Sequence, residues 1–380
     1  MYDRILASPR QSFFLFGPRG TGKSTWIKQI FKQEKTINLL DERLYQNYLR
    51  YPELLGDELR AMSDESWVII DEIQRVPQLL NTVHMFMEDK GMNFVLSGSS
   101  ARKLKQAGVN LLAGRAIIKN MYPFVPEELQ SDFNLENTLR YGSIPIVQTS
   151  KDKRATLESY VLTYLKEEIK AEALVRNLPG FSRFLTIAVL FHGQTLNIQS
   201  LARDSQVART TVSDYIEILE DTLLATRLKP YVAHLRVREK RHPKLYWIDP
   251  GLVRAVKNSW YEVTPDERGS LFEGYIFMLL KAYNQKFHFF DEIYYWAPTE
   301  TQNVEVDFLL KTEKGIIALE IKSYQRFRSE DTKGLKAIAE LKGVTRRILV
   351  YQGDKKYLTA EGIEVMPFID FLHCLEQNLW

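Results

Sequence analysis

Residues Gly17-Pro18-Arg19-Gly20-Thr21-Gly22-Lys23-Ser24 fit the pattern G-x-x-x-x-G-K-[ST]. Each residue type answers to a step in phosphate binding. The glycines let the backbone curl until its N–H groups point at phosphate oxygens, a lysine reaches the β- and γ-phosphates, and a hydroxyl is offered to Mg²⁺. Those roles fall to the loop Gly17–Lys23 and to Ser24, which with Thr25 opens a helix expected to run to Phe31. Fifty residues on, the apolar run Trp67-Val68-Ile69-Ile70 ends in Asp71-Glu72. A strand of this kind delivers one acid to Mg²⁺, here Asp71, and a second, Glu72, to orient the attacking water. The two motifs together imply a bound nucleoside triphosphate, with ATP and Mg²⁺ as the expected pair.

A second constellation lies near the other end. Val304-Glu305-Val306-Asp307-Phe308-Leu309-Leu310 alternates like a strand, and after Lys-Thr-Glu-Lys-Gly comes Ile316-Ile317-Ala318-Leu319-Glu320-Ile321-Lys322. Period 2 puts Glu320 and Lys322 on one face, and a hairpin brings Asp307 opposite them. An acid on one strand and E-x-K on the next can hold a hard divalent cation through Asp307 and Glu320, while Lys322 positions or deprotonates the attacking water. Glu273, in the apolar helix Phe272–Phe277, is a further candidate carboxylate. The same charges also suit an ordinary solvated hairpin.

These groups need elements to carry them. Strand patterns at 12–16, 36–40, 67–71, 93–97 and 116–120 alternate with amphipathic stretches, which predicts a parallel sheet with helices on both faces. The ligand then belongs at the carboxyl ends of the strands, where Ser97-Gly98-Ser99-Ser100 joins the loop and the acids. Ser97 and Ser99 are candidate γ-phosphate sensors, or the segment is simply a Gly/Ser turn. From 126 to 176 the pattern turns helical, as a lid over the nucleotide. The expected units are 1–176 for the P-loop domain with its lid, 177–260 for a winged helix and 261–380 for an α/β nuclease-like domain.

The middle unit rests on a short helix at 197–204, a tight turn at 205–208 and a second helix from Arg209 to Leu219. In a helix-turn-helix the second helix enters the major groove N-terminus first, so Arg209, Thr210 and Thr211 would lie nearest the bases. Thr226 to Leu245 then holds seven basic residues against Glu239, a net +6. Arg236, Arg238 and Arg241 lead this group, with Lys244 at its end, as expected phosphate contacts to double-stranded DNA. A helical connector with a solvated basic loop is the competing account.

Composition adds bounds. A 380-residue chain with 45% hydrophobic and 26% charged residues is long enough for two or three domains. The formal net charge of +3 gives no whole-molecule field toward nucleic acid. One cysteine, Cys374, excludes an intrachain disulfide, and the six histidines show no metal-ligand spacing. The apolar run around Phe184 to Phe191 falls far short of the roughly 18 residues a membrane span needs. No signal-peptide pattern opens the sequence, so a cytoplasmic location is expected.

Taken together, G-P-R-G-T-G-K-S, V-I-I-D-E-I-Q-R-V-P, L-S-G-S-S-A-R-K-L with L-A-G-R, K-L-Y-W-I-D-P-G-L, and V-D-F-L-L with A-L-E-I-K resemble a widespread prokaryotic family of AAA-type ATPases with a C-terminal region of unknown function. The resemblance spans essentially the whole chain. It implies a P-loop AAA-type ATPase with a helical lid, then an α/β winged-helix domain and a restriction-endonuclease-like domain of the PD-(D/E)xK type. It also suggests that Arg115 of L-A-G-R, or Arg102 of S-A-R, contacts the γ-phosphate in cis or from a neighbouring subunit of a homo-oligomer, unless these arginines are structural. The leading expectation is an ATPase whose nucleotide state controls a DNA-binding winged helix and a metal-dependent nuclease-like domain. The rival is a non-catalytic switch whose terminal domain only binds DNA or protein, and a third possibility has both C-terminal modules gripping protein partners.

Overall fold

The computed structural model describes residues 2–102, 104, 112–165, 177–232, 241–298 and 304–380. Its first sheet is built from strands β1 (Phe13–Phe16), β2 (Lys35–Asn38), β3 (Trp67–Asp71), β4 (Asn93–Gly98) and β5 (Ile117–Asn120), all parallel, in the order β2-β3-β4-β1-β5. The inner strands β1, β3 and β4 carry apolar runs because both their faces are covered, whereas the edge strands β2 and β5 are partly polar and less buried. Phe13, Leu15, Ile69 and Val95 pack with Trp26 and Ile27 on one side. Phe14, Phe16, Val68, Ile70, Phe94 and Leu96 pack with Val83 and Phe86 on the other. The phosphate-loop strand β1 and the acid-bearing strand β3 are not neighbours. β4 runs between them, so its carboxyl end enters the site from the middle.

The span expected as a lid opens with the short helix Pro126–Leu129 and includes helices Leu135–Tyr141 and Lys153–Ser159, whose N-caps Asn134 and Asp152 each accept from a backbone N–H three residues on. A π-helical turn, Tyr160–Leu165, follows, and residues 166–176 of the expected lid lie outside the described residues. After helix Leu178–Ala188 come helices Ile198–Ser205 and Arg209–Asp221, separated by a turn in which Gln206 adopts φ 55°. A three-stranded antiparallel sheet completes this unit, ordered β6 (Gln194–Thr195), β8 (Lys244–Trp247) and β7 (Ala225–Leu228).

The long helix Pro265–Phe287 opens the last unit. Thr264 and Glu267 form its capping box, Pro265 takes the first position, and His288 ends it at φ 54°. Beyond it a six-stranded mixed sheet runs in the order β13-β14-β12-β11-β10-β9. In chain order these are β9 (Glu292–Trp296), β10 (Val306–Thr312), β11 (Gly315–Lys322), β12 (Val344–Tyr351), β13 (Tyr357–Leu358) and β14 (Glu364–Pro367). The helix expected near 331–342 is broken, with one α-helical turn at Lys333–Ala337 between two 3₁₀ segments. Gly334 lies so close to the Glu305 carbonyl that no Cβ would fit there. Among the described residues no helix is long and apolar enough to cross a membrane.

Candidate functional site

The phosphate loop is shaped by its glycines. Gly20 and Gly22 adopt φ of 77° and 89°, in the left-handed region that other residues resist. Gly17 has φ outside that region, but a Cβ there would lie 2.7 Å from the Met121 carbonyl oxygen. Thr21 Oγ1 donates to the Pro18 carbonyl at 2.7 Å and fixes the turn. Arg4 braces the loop from outside, donating to the carbonyls of Thr21 (2.7 Å) and Tyr122 (2.6 Å) and pairing with buried Glu128 at 2.9 Å. Arg4 is a residue that motif spacing could not reveal. Thr25, by contrast, faces solvent.

Beneath the loop, Lys23 is buried and donates to the carbonyls of Gly17 (2.6 Å) and Pro18 (3.3 Å). Ser24 Oγ donates to Asp71 Oδ2 at 2.8 Å, and Ser97 Oγ donates to Asp71 Oδ1. The pairing of β3 with β4 sets Asp71 directly beside Ser97. Ser97 therefore holds one oxygen of Asp71 in place. Glu72 turns out of the strand at φ 61°, ψ 42° and is held by Gln74, whose amide donates to it and to Ser99 Oγ at 3.3 Å. Burial pushes the Glu72 carboxyl up, against the pull of Lys23. Gln74 Oε1 is buried without a hydrogen-bond partner among the described atoms. Gln74 lies in the quoted D-E-I-Q-R run, yet spacing alone gave it no role.

These oxygen donors suit Mg²⁺ with ATP. Ser24 and Asp71 already share a hydrogen bond, and both are hard ligands of the kind that ion takes. Two lid contacts close over the loop: Ile146 N donates to the Gly20 carbonyl at 3.1 Å, and Tyr160 Oη donates to the Arg19 carbonyl at 3.0 Å.

Neither candidate arginine reaches this site within the chain. Arg115 pairs with Glu88 and lies two residues before β5, whose first residue, Ile117, bonds to Ser12 at the start of β1. That is the amino edge of the sheet, opposite the phosphate loop and about 13 Å away along a four-residue strand. The expectation of a cis contact is thereby corrected, because the strand direction separates the two ends. Arg102 instead pairs with Asp221 (2.9 Å) and lies 3.9 Å from Glu217, joining the end of the β4 segment to the helix Arg209–Asp221.

At the start of helix Arg209–Asp221, Arg209 and Thr210 are exposed and Thr211 is half-buried. Arg241 is exposed, while Arg236 and Arg238 lie outside the described residues. Two basic residues expected on the nucleic-acid face are engaged elsewhere. Arg227 pairs with Glu220, and Lys244 is buried. Both corrections have the same cause, since the strands carrying these residues turn them toward acids of the protein itself.

Lys244 points into the second acidic site. In the β10–β11 hairpin Phe308 is opposite Leu319, and the same register sets Asp307 opposite Glu320. Asp307 Oδ2 accepts from Ile321 N at 2.8 Å, and Lys322 Nζ donates to Glu320 Oε1 at 2.6 Å. Glu273 comes in from the long helix and accepts from Tyr246 Oη. Oxygens of Glu273, Glu305 and Asp307 all lie within 4.8 Å of one another. Burial first, then Asp307, pushes Glu273 up to about 7, and the same two causes raise Glu320 well above the carboxylate range. Glu305 was legible only as the alternate residue before Asp307.

Comparison with known proteins matches three successive stretches of the chain. Residues 9–130 match the AAA domain. The AAA domain thus contains the phosphate loop, Asp71-Glu72 and Ser97, and this part of the chain is a P-loop ATPase-like unit. Residues 132–261 match a domain of unknown function, DUF8612, and residues 268–371 another, DUF4143. An uncharacterized protein of Mycobacterium tuberculosis is 25% identical over 361 residues, covering 93% of this chain and 79% of its own length. One from Haemophilus influenzae is 21% identical over 397 residues, covering 94% and 92%. Among solved structures, the Walker-type ATPase of Pyrococcus abyssi is 16% identical, covers 64% of this chain and 90% of its own, and superposes with a TM-score of 0.44.

Proposed function

We propose that the chain binds and hydrolyses ATP with Mg²⁺ and couples the nucleotide state to a DNA-binding winged helix and a metal-dependent nuclease-like domain. The observation that carries the reading is the run of hydrogen bonds from Ser24 through Asp71 to Ser97 beneath a loop with buried Lys23. Lys23 and the loop N–H groups would hold the phosphates, Ser24 and Asp71 would hold Mg²⁺, and Glu72 would orient the attacking water and take its proton while Gln74 keeps its carboxylate in place. Mg²⁺, when bound, supplies charge neutralisation at the phosphates. Tyr160 and Ile146 close the lid and exclude bulk water.

For the terminal domain, Asp307, Glu320 and Lys322 on paired strands with Glu273 nearby support a restriction-endonuclease-like site on DNA. The exposed end of the helix at Arg209 and Thr210, with Arg241, supports duplex binding. Asp214 and Glu217 are exposed further along that helix, so only its first turn suits a groove lined with phosphates. The alternative, a switch that binds without cutting, is favoured by one observation, the presence of Lys244 Nζ among the acids. DNA cleavage by wild type and Asp307→Ala, each with and without Mg²⁺ and ATP, separates them. Cleavage lost only in the variant supports the nuclease reading, and no cleavage of any DNA form by the wild type supports the switch.

A further inference from the structure

Lys244 ends a side chain that crosses from one unit of the protein into another. Its Cα is on β8, in the three-stranded sheet beside the helix-turn-helix. Its Nζ passes 5.5 Å from the centre of the Tyr295 ring and stops 3.0 Å from Glu273, 3.7 Å from Asp307 and in contact with Glu305. The side chain is only 4% exposed. An ammonium buried that deeply is tolerated only when paired, and here three carboxylates share the pairing.

The acids have more capacity than one lysine uses. Glu273, Glu305 and Asp307 form a compact set of hard oxygen donors from a helix and a strand. Beside them Glu320 is 5% exposed, and its Oε2 is buried with no hydrogen-bond partner among the described atoms. An orphaned buried carboxylate oxygen carries a desolvation cost that a further ligand would remove. The point nearest the three acids is held by the ammonium, so the lysine and a metal ion compete for the same place.

We propose that Lys244 is an internal counter-cation that keeps this site closed to divalent metal, and that a cation of the Mg²⁺ or Mn²⁺ class binds Glu273, Glu305 and Asp307 when the ammonium withdraws. The inference rests on the nuclease-like reading of these acids but adds the lysine's control of them. The device has a lever. β8 runs directly into Asp249, whose carboxylate accepts from Ser143 N of the lid at 2.6 Å. A shift of the lid against β8 is transmitted to the strand that carries Lys244.

The test titrates nucleotide-free protein with Mn²⁺ and reads affinity and thermal shift, neither of which depends on ATP turnover or DNA cleavage. Lys244→Met should bind one Mn²⁺ at least about tenfold more tightly than wild type, since a unit positive charge within 4 Å of the ligands is gone. The gain should vanish in Lys244→Met/Asp307→Asn. Mn²⁺ should raise the melting temperature of Lys244→Met more than that of wild type. If Lys244→Met does not fold even with Mn²⁺, Lys244→Gln, which removes the charge but keeps a hydrogen-bond donor for the acids, replaces it with the same expected direction. Folded variant binding Mn²⁺ no tighter than wild type overturns the proposal, as does a gain that survives Asp307→Asn. Either failure leaves the nuclease reading to be judged separately by cleavage.

Discussion

Glu72, the proposed catalytic carboxylate, sits on an unfavourable backbone. A non-glycine residue at φ 61° is uncommon, and here it turns the carboxylate out of β3 toward the phosphate loop. Glu72→Gln keeps the shape and removes the base, so nucleotide affinity should stay within about twofold while turnover falls by roughly 10²–10⁴. Because burial raises the Glu72 pKa, the active carboxylate form is lost as pH falls through that raised value. The acid limb of the turnover profile should sit above the ordinary glutamate range, and titration of single-turnover rates against pH checks it. Gly20→Ala should weaken nucleotide binding, because a Cβ would lie 2.6 Å from Ile146 Cγ2 at a φ of 77°. The glycines, Lys23, Ser24 and Asp71-Glu72 were legible because a local motif carries each of them. Gln74, Arg4 and Lys244 were not: the partners of Arg4 and Lys244 are distant in sequence, and the link from Gln74 to Ser99 exists only once β3 packs beside β4.

Among the elements, the lid and β8 are joined at Asp249, and this explains the D-P-G in K-L-Y-W-I-D-P-G-L. Asp249 Oδ1 caps the helix Pro250–Val256 by accepting from Leu252 N at 3.0 Å, and Oδ2 accepts from Ser143 N. Gly142 and Gly251 leave no room for a Cβ, against Asp249 and the Tyr141 carbonyl respectively. Asp249→Ala should cost about 1–3 kcal/mol in chemical denaturation, since two buried N–H groups lose their acceptor. Burial pushes this carboxyl up to about 6 despite its backbone donors. The folded state then binds more protons than the unfolded chain between roughly pH 4 and 6. That stabilisation is present below the ordinary aspartate pKa of 3.8 and is lost as pH rises through about 6. Melting temperatures across that window should fall with rising pH in wild type and less so in Asp249→Ala. Strand and helix periodicity revealed the five parallel strands, the paired short helices and the β10–β11 hairpin. It did not reveal this joint, which depends on steric fit between segments over 100 residues apart.

Across the whole molecule, Arg102 and the pair formed by Asn120 and Gln285 tie the part that matches the AAA domain to the rest. Asn120 N donates to Gln285 Oε1 at 2.7 Å, and Gln285 Nε2 returns a bond to the Asn120 carbonyl at 2.5 Å. The two chemical sites share no ligand, so Asp307→Ala should leave ATP turnover within about twofold of wild type, whatever it does to the acidic site. Arg115 faces outward at the far edge of the sheet, which leaves contact with a nucleotide only to an arrangement with a neighbouring copy. If turnover per chain rises with protein concentration, and Arg115→Ala abolishes that rise, such an arrangement exists. A concentration-independent rate would restrict Arg115 to its pair with Glu88.

The measurement that bears most directly on the account is single-turnover ATP hydrolysis with Mg²⁺, run beside equilibrium nucleotide binding, for wild type, Lys23→Ala and Glu72→Gln. Wild type should bind and hydrolyse, Lys23→Ala should lose binding, and Glu72→Gln should bind normally and hydrolyse at least about a hundredfold more slowly. Equal hydrolysis by wild type and Glu72→Gln, or undiminished binding by Lys23→Ala, would contradict it.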